Sequence, residues 1–289
     1  MKDNIFECPV SCKYCMASKI DSRKEHWEAG SRIGINKSCV FINRLPKDPP
    51  LKDMNFKLSL FDGDYLGFQG ITDCFWMKYF EDLSWLIDKV ENSKVRKLVL
   101  TSKIPVNEKQ IELLKRTNKI LVIYSLTGLD QLEKTTTMSR INAMIRLREE
   151  GIDTFGIIHP YIHNYSDLSF LKELEKNNFT YISYKGFRYN PKNMKELEKY
   201  ISPKILKQYE DNEKEVLIGK EYIDQQLKNH NLKYINLKEY IRKDNGISFN
   251  LDKAKVVKQV EELLEKATIS SSEQNYEILK KDIIERRLR

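Results

Sequence analysis

The sequence predicts an α/β fold, a partial (β/α)6 TIM-like barrel with a mainly helical C-terminal extension. Three observations lead there. Short apolar runs alternate with amphipathic stretches between residues 75 and 184, the pattern of parallel strands joined by right-handed crossovers. Six strands fit the chain up to residue 184, fewer than the eight that close a barrel. Beyond Asn190 the strand signal gives way to Lys, Glu, Leu and Ile at helical spacing. The expected division is therefore 1–190 for the barrel and 191–289 for the helical region.

Residues 4–7 are short and apolar and read as a first strand. Residues 16–29 carry Met16, Ala17, Ile20 and Trp27 on one side of a helix that Gly30 and Gly34 break. Cys39–Ile42 is a short extended segment, and the prolines between Leu45 and Pro50 mark a loop. Residues 56–61 alternate as a second strand and run into 62–67, a turn by its Asp and Gly content. Residues 75–91 form an amphipathic helix, 96–101 a buried strand and 106–116 a helix. Residues 120–126 are the most apolar strand, and 138–150 a helix closed by Gly151. A strand at 154–159, a helix at 166–177 and a strand at 179–184 complete the repeat. Farther on, 193–227 and 252–288 read as helical around an undetermined middle.

Composition sets bounds. The chain has 289 residues, enough for one large α/β domain with an appendage, and 40% hydrophobic content, enough to fill its core. No run of about 18 apolar residues stands out for a membrane helix. The cysteines follow the first residues at once, so no signal peptide is expected. Three of the five cysteines lie within eight residues, which points to a reducing cytoplasm rather than a disulfide framework. A net charge of +8 is compatible with a polyanionic partner. The basic residues are interleaved with Asp and Glu, however, so a solvated surface explains them as well.

The chemistry centres on Cys8, Cys12 and Cys15, spaced C-x3-C-x2-C. So tight a loop aims three thiolates at one place and holds no fourth cysteine. A closed zinc or iron–sulfur site normally takes four protein ligands. Three ligands on a cubane leave one iron open. Zinc is the other reading, with His26, Cys39 or Cys74 as fourth ligand, although zinc cysteines more often come as two C-x2-C pairs.

This spacing, with Tyr14 just before the last cysteine, resembles the signature of the radical SAM superfamily. The resemblance implies a [4Fe–4S] cluster on Cys8, Cys12 and Cys15, with S-adenosylmethionine chelating the fourth iron. It also implies reductive cleavage to a 5′-deoxyadenosyl radical, which abstracts a hydrogen atom from a substrate. An electron donor such as flavodoxin or ferredoxin and anaerobic handling are implied with it. Between residues 96 and 168 the likeness narrows. The stretch Leu100-Thr101-Ser102-Lys103, then Ser125, Arg140, Gly151-Ile152 and His159-Pro160, is similar in order to the spore photoproduct lyase-like group.

That resemblance implies S-adenosylmethionine contacts for Lys103 and Ser125. Arg140, at a helix start, is a candidate for the same carboxylate, and Asp62 or Asp64 for the ammonium. The ordinary alternatives are a solvated Lys103, a serine satisfied by backbone and a surface-paired Arg140. Cys39 and Cys74 are candidate hydrogen-atom donors, or else buried inert thiols. Tyr14, His159, His163, Lys185 and Arg188 are candidate substrate contacts, and Phe187 and Tyr189 interleave with the last two. A DNA lesion is the substrate that the resemblance implies, and a peptide or small molecule is the alternative. The remote alternative is a zinc-stabilised basic binding module. The family's Glu-Pro is replaced here by Glu133-Lys134-Thr135.

Overall fold

The structure, a computed structural model, describes residues 8–15, 33–36, 39–42, 65–68, 73–189, 191–210 and 215–244. The expected strands at 4–7 and 56–61 and the helices at 16–29 and 252–288 lie outside them.

The four later strands form where alternation placed them: β4 (Lys97–Ser102), β5 (Ile120–Ser125), β6 (Asp153–Ile158) and β7 (Tyr181–Tyr184). They follow β1 (Ile33–Asn36), β2 (Cys39–Ile42) and β3 (Tyr65–Phe68). β3 corrects the expected turn at 62–67, because Tyr65–Phe68 pairs in parallel with Lys97–Leu100 instead of closing a loop. Farther on come β8 (Phe187–Arg188), β9 (Glu215–Val216) and β10 (Lys233–Tyr234). Among the described residues the main sheet runs β1-β2-β3-β4-β5-β6-β7-β10, parallel except where β1 meets β2. β8 and β9 pair antiparallel to each other.

Four helices connect the parallel strands or follow them: α1 (Phe80–Glu91), α2 (Glu108–Leu114), α3 (Thr137–Glu149) and α4 (Leu171–Lys176). Local chemistry sets their starts. Asn107 and Gln110 form a reciprocal capping box on α2, and the Thr136 hydroxyl accepts from the Ser139 N–H at the head of α3. The expected 193–227 helix is interrupted. It becomes α5 (Pro191–Leu197), α6 (Pro203–Lys207), β9 and α7 (Lys220–Asn229), the proline of α6 and the left-handed Gly219 marking two restarts. The undetermined middle holds β10 and α8 (Leu237–Asp244).

Strand alternation divides the core. Leu98, Leu100, Val122, Tyr124, Ile158 and Ile182 face α1–α4 and α7. Val99, Leu121, Ile123, Phe155 and Ile157 face the other way and are covered by Ile235 and Ile241. Tyr240 of α8 lies against Phe155 with ring centroids 4.2 Å apart. Among the described residues the crossover helices thus sit on one face of a sequentially ordered parallel sheet, which is barrel-like winding rather than double winding. On the other face the base is filled by α8, and Lys97 and Asp153 form an ion pair at the strand starts. The opposite strand ends are left for the loops.

Candidate functional site

Lys103, Ser125 and His159 continue the odd-numbered register of Val99, Ile123 and Ile157 to the C-terminal ends of β4, β5 and β6. The cysteine loop docks at this edge. Lys13 N–H donates to Leu132 O at 2.9 Å, and Lys134 N–H donates to Val10 O at 3.2 Å. Two turns shape the loop, Ser11 N–H to Cys8 O at 3.2 Å and Cys15 N–H to Cys12 O at 3.1 Å, with Ser11 at φ 50°. Cys8, Cys12 and Cys15 are half-buried. Tyr14 packs into a second core with Leu129, Leu132, Ile162 and Leu197, and Lys13 pairs with Glu196 of α5 at 2.9 Å. The loop therefore joins the strand ends to the region after residue 190.

Beside the loop lies a buried charged cluster. Lys103 Nζ donates to Tyr14 Oη at 2.7 Å, to Glu133 Oε1 at 2.8 Å and to His159 O at 3.4 Å. The Tyr14 hydroxyl also donates to Glu133. The Arg140 guanidinium grips the other oxygen of Glu133, the Ser125 carbonyl and, at 2.7 Å, the Thr135 carbonyl. Ser125 Oγ donates to His159 O. Burial pulls Lys103 down to about 7 and pushes Glu133 up to about 7, against the attraction of Arg140 for the Glu133 carboxylate.

Asp73 is a second enclosed carboxylate. It accepts from Ser102 Oγ and Lys103 N at 2.6 Å and from Phe75 N at 3.0 Å. It thereby ties the backbone of Lys103 to the segment before α1.

No family model and no curated protein matches this chain. Among solved structures, Streptococcus suis SuiB bound to the precursor peptide SuiA matches with a TM-score of 0.50 and 16% identity, over 85% of this chain and 51% of that one. SuiB bound to S-adenosylmethionine gives 0.49 and 14%, over 80% and 48%. Spore photoproduct lyase complexed with dinucleoside spore photoproduct gives 0.48 and 10%, over 82% and 71%. The chain has the radical SAM fold. It spans about half the length of the SuiB chains it matches.

The three loop thiols suit the cluster that goes with the radical SAM fold. Burial raises Cys8, opposed by the N–H groups of Val10 and Asp73, and it pushes Cys12 up to about 12, opposed by Lys103. The charge of Cys15 adds to both shifts. Three thiolates in one loop repel one another, and the positive charge of a bound iron cluster would remove that repulsion. Among the described residues no three Cys, His, Asp or Glu side chains converge as they would on one ion.

Cys74 is buried in the helix-side core, its thiol donating to Thr101 O at 3.4 Å. Asp62 and Asp64 lie outside the described residues. So does the side chain of Cys39, whose backbone opens β2.

His163 is enclosed by aromatics. Its Nδ1 lies 2.9 Å from Tyr161 Oη, and its backbone N–H donates to Tyr209 Oη at 2.7 Å. Lys185 and Arg188 are exposed. Phe187, between them, is buried edge-on to Tyr209 at 5.4 Å, and the Tyr189 hydroxyl donates to Glu210 at 3.0 Å. These two aromatics pack the later segments onto the barrel.

The sequence reading missed Asp73 and Glu133 as members of the site. Only Glu133 carried a signal, its place seven residues before Arg140 and near the expected Glu-Pro. No helix among the described residues is long and apolar enough to cross a membrane.

Proposed function

We propose that this chain is a radical S-adenosylmethionine enzyme, a lyase or a related radical catalyst, working in a reducing and oxygen-poor cytoplasm with a flavodoxin- or ferredoxin-type electron donor. The single observation that supports this best is the docking of the three-cysteine loop on the strand ends beside Lys103. Cys8, Cys12 and Cys15 would hold the [4Fe–4S] cluster, which together with S-adenosylmethionine supplies one-electron chemistry that ends in hydrogen-atom abstraction.

The chain's own residues have binding and positioning roles in this reading. Lys103 offers an ammonium to the methionine carboxylate, a charge-assisted bond that Glu133 orients. Ser125 offers a hydroxyl at the next strand end, and Arg140 acts through Glu133, as its burial allows. Asp62 or Asp64 is assigned to the methionine ammonium. Tyr14 and the core around it keep water from the loop. Of the helical region 191–289, the described segment around Glu196 and Leu197 packs against the cysteine loop. Cys39 and Cys74 are the thiols available as hydrogen-atom donors, and the burial of Cys74 makes it the poorer choice.

For the substrate we propose a DNA lesion, supported by the net charge of +8 and by exposed Lys185 and Arg188 near the mouth. A peptide or small molecule is the second reading. SuiB, whose fold this chain shares, binds a precursor peptide.

The test is anaerobic reconstitution. About four irons and four labile sulfides per chain, and release of 5′-deoxyadenosine from S-adenosylmethionine on reduction, are expected. One equivalent of zinc without sulfide overturns the proposal.

A further inference from the structure

At the end of β6 and β7 a second polar group stands apart from the buried cluster. His159 Nε2 lies 3.5 Å from Glu215 Oε2, close enough for the carboxylate to favour a proton on that nitrogen. The two side chains are 42% and 37% exposed, so the pair opens toward solvent. No described residue bonds to His159 Nδ1. The His159 carbonyl, by contrast, is held firmly by the Ser125 hydroxyl and by Lys103, which also reaches Tyr14 of the cysteine loop. His159 thus presents a ring with one free nitrogen, one side chain away from that loop.

Glu215 reaches this place through a specific backbone arrangement. β9 pairs with β8 through Phe187↔Val216 and Arg188↔Glu215. Gly186 N–H donates to Glu215 Oε1 at 3.2 Å. A Cβ on Gly186 would stand 2.0 Å from the Val216 carbonyl oxygen, so only glycine lets β9 approach this closely. A chain that needed only to cover the barrel has no use for so close an approach. It brings a carboxylate from after residue 190 against a histidine at a strand end.

We infer that His159 is the proton-transfer group of the site and that Glu215 is the residue that positions it. With Nε2–H turned toward Glu215, Nδ1 keeps its lone pair on a ring that is partly open to solvent. The substrate is then one with an acidic X–H group, a hydroxyl, thiol or ammonium, next to the reacting carbon. The proton of X–H moves to Nδ1, and the bonding electron pair stays on X. The reverse transfer returns it. This rests on the radical reading for the chemistry at carbon, but the pairing of the two residues does not.

Partial burial and three charged neighbours bear on the protonation of His159. Burial lowers it, the carboxylate of Glu215 raises it, and the cations Lys103 and Lys185 lower it. Removing the Glu215 charge therefore lowers the histidine further.

Long-range ¹H–¹⁵N NMR on ¹⁵N-histidine-labelled full-length chain tests this without cluster or substrate. His159→Gln assigns the signal. In wild type at neutral pH, Nε2 should be the protonated nitrogen and Nδ1 the free one. Glu215→Gln, isosteric and partly exposed, should mix the two tautomers and lower the His159 pKa. Gly186→Ala should shift the same signal in the same direction, because it pushes β9 away. A protonated Nδ1 in wild type, or a His159 pKa unmoved by Glu215→Gln, overturns the inference. Loss of the radical reading would appear separately, as a chain without labile sulfide.

Discussion

Glu133 and Arg140 form an ion pair in which neither side chain has any exposure to solvent. They are seven residues apart, across the start of α3, and their partners are unequal. Glu133 also accepts from Lys103 and Tyr14, whereas the other acceptors of Arg140 are the neutral carbonyls of Ser125 and Thr135.

That inequality sets the first prediction. Glu133→Gln leaves both buried cations without their carboxylate and should cost about 3–5 kcal/mol. Arg140→Met leaves Glu133 with Lys103 and should cost clearly less. Urea denaturation of the two variants measures the difference. Equal losses would mean that Lys103 does not support the Glu133 charge.

Lys103 carries the second. A charge-assisted hydrogen bond to a carboxylate contributes about 1.5–3 kcal/mol, so Lys103→Ala should weaken S-adenosylmethionine binding about ten- to a hundredfold. Iron and sulfide content should stay at the wild-type level. Equilibrium binding on reconstituted protein is the measurement, and unchanged affinity would show that Lys103 remains with Glu133 when the cofactor binds.

Gly128 provides a test of the fold beneath the site. It has φ +61°, and a Cβ there would stand 2.0 Å from the Asp167 carbonyl oxygen. Asp167 N–H donates to Gly128 O at 3.0 Å. Gly128→Ala should therefore lose at least about 1–3 kcal/mol, from backbone strain and the clash together. Thermal melting shows it. A wild-type midpoint would mean that the turn before the Asp130–Leu132 segment is not built this way.

The fourth concerns the DNA reading. Exposed Lys185 and Arg188, if they meet phosphates, should each reduce the salt slope of oligonucleotide binding by about one when replaced by Ala. Titrations with damaged and undamaged oligonucleotides at several salt concentrations measure the slope and the preference. Absence of binding at low salt moves the assignment to a peptide or small molecule.

Much of this protein is determined locally. Alternating apolar residues place β4 to β7, because period-two patterning selects one face of a strand whatever lies beyond it. The same register puts Lys103, Ser125 and His159 at neighbouring strand ends. Three cysteines in eight residues mark the loop that docks at the strand ends beside Lys103. Helix starts at Asn107 and Thr136 follow from side chains that cap their own turn.

Other features depend on partners far along the chain. Glu133 meets Tyr14 across 119 positions and Lys103 across 30, so nothing near it in sequence separates it from a solvated loop acid. Tyr65–Phe68 becomes a strand because β4 offers it a ladder, while its neighbouring Asp and Gly favour a turn. Lys233–Tyr234 joins the sheet edge by pairing with β7, although two residues carry no strand signal. Glu215 reaches His159 because Gly186 lets another strand pass close by. The sequence by itself determined β4 to β7, the helices α1 to α4 and the thiol loop, since these need only near neighbours. Only the tertiary structure decided which charges are buried together, because burial is set by packing between segments distant in the chain.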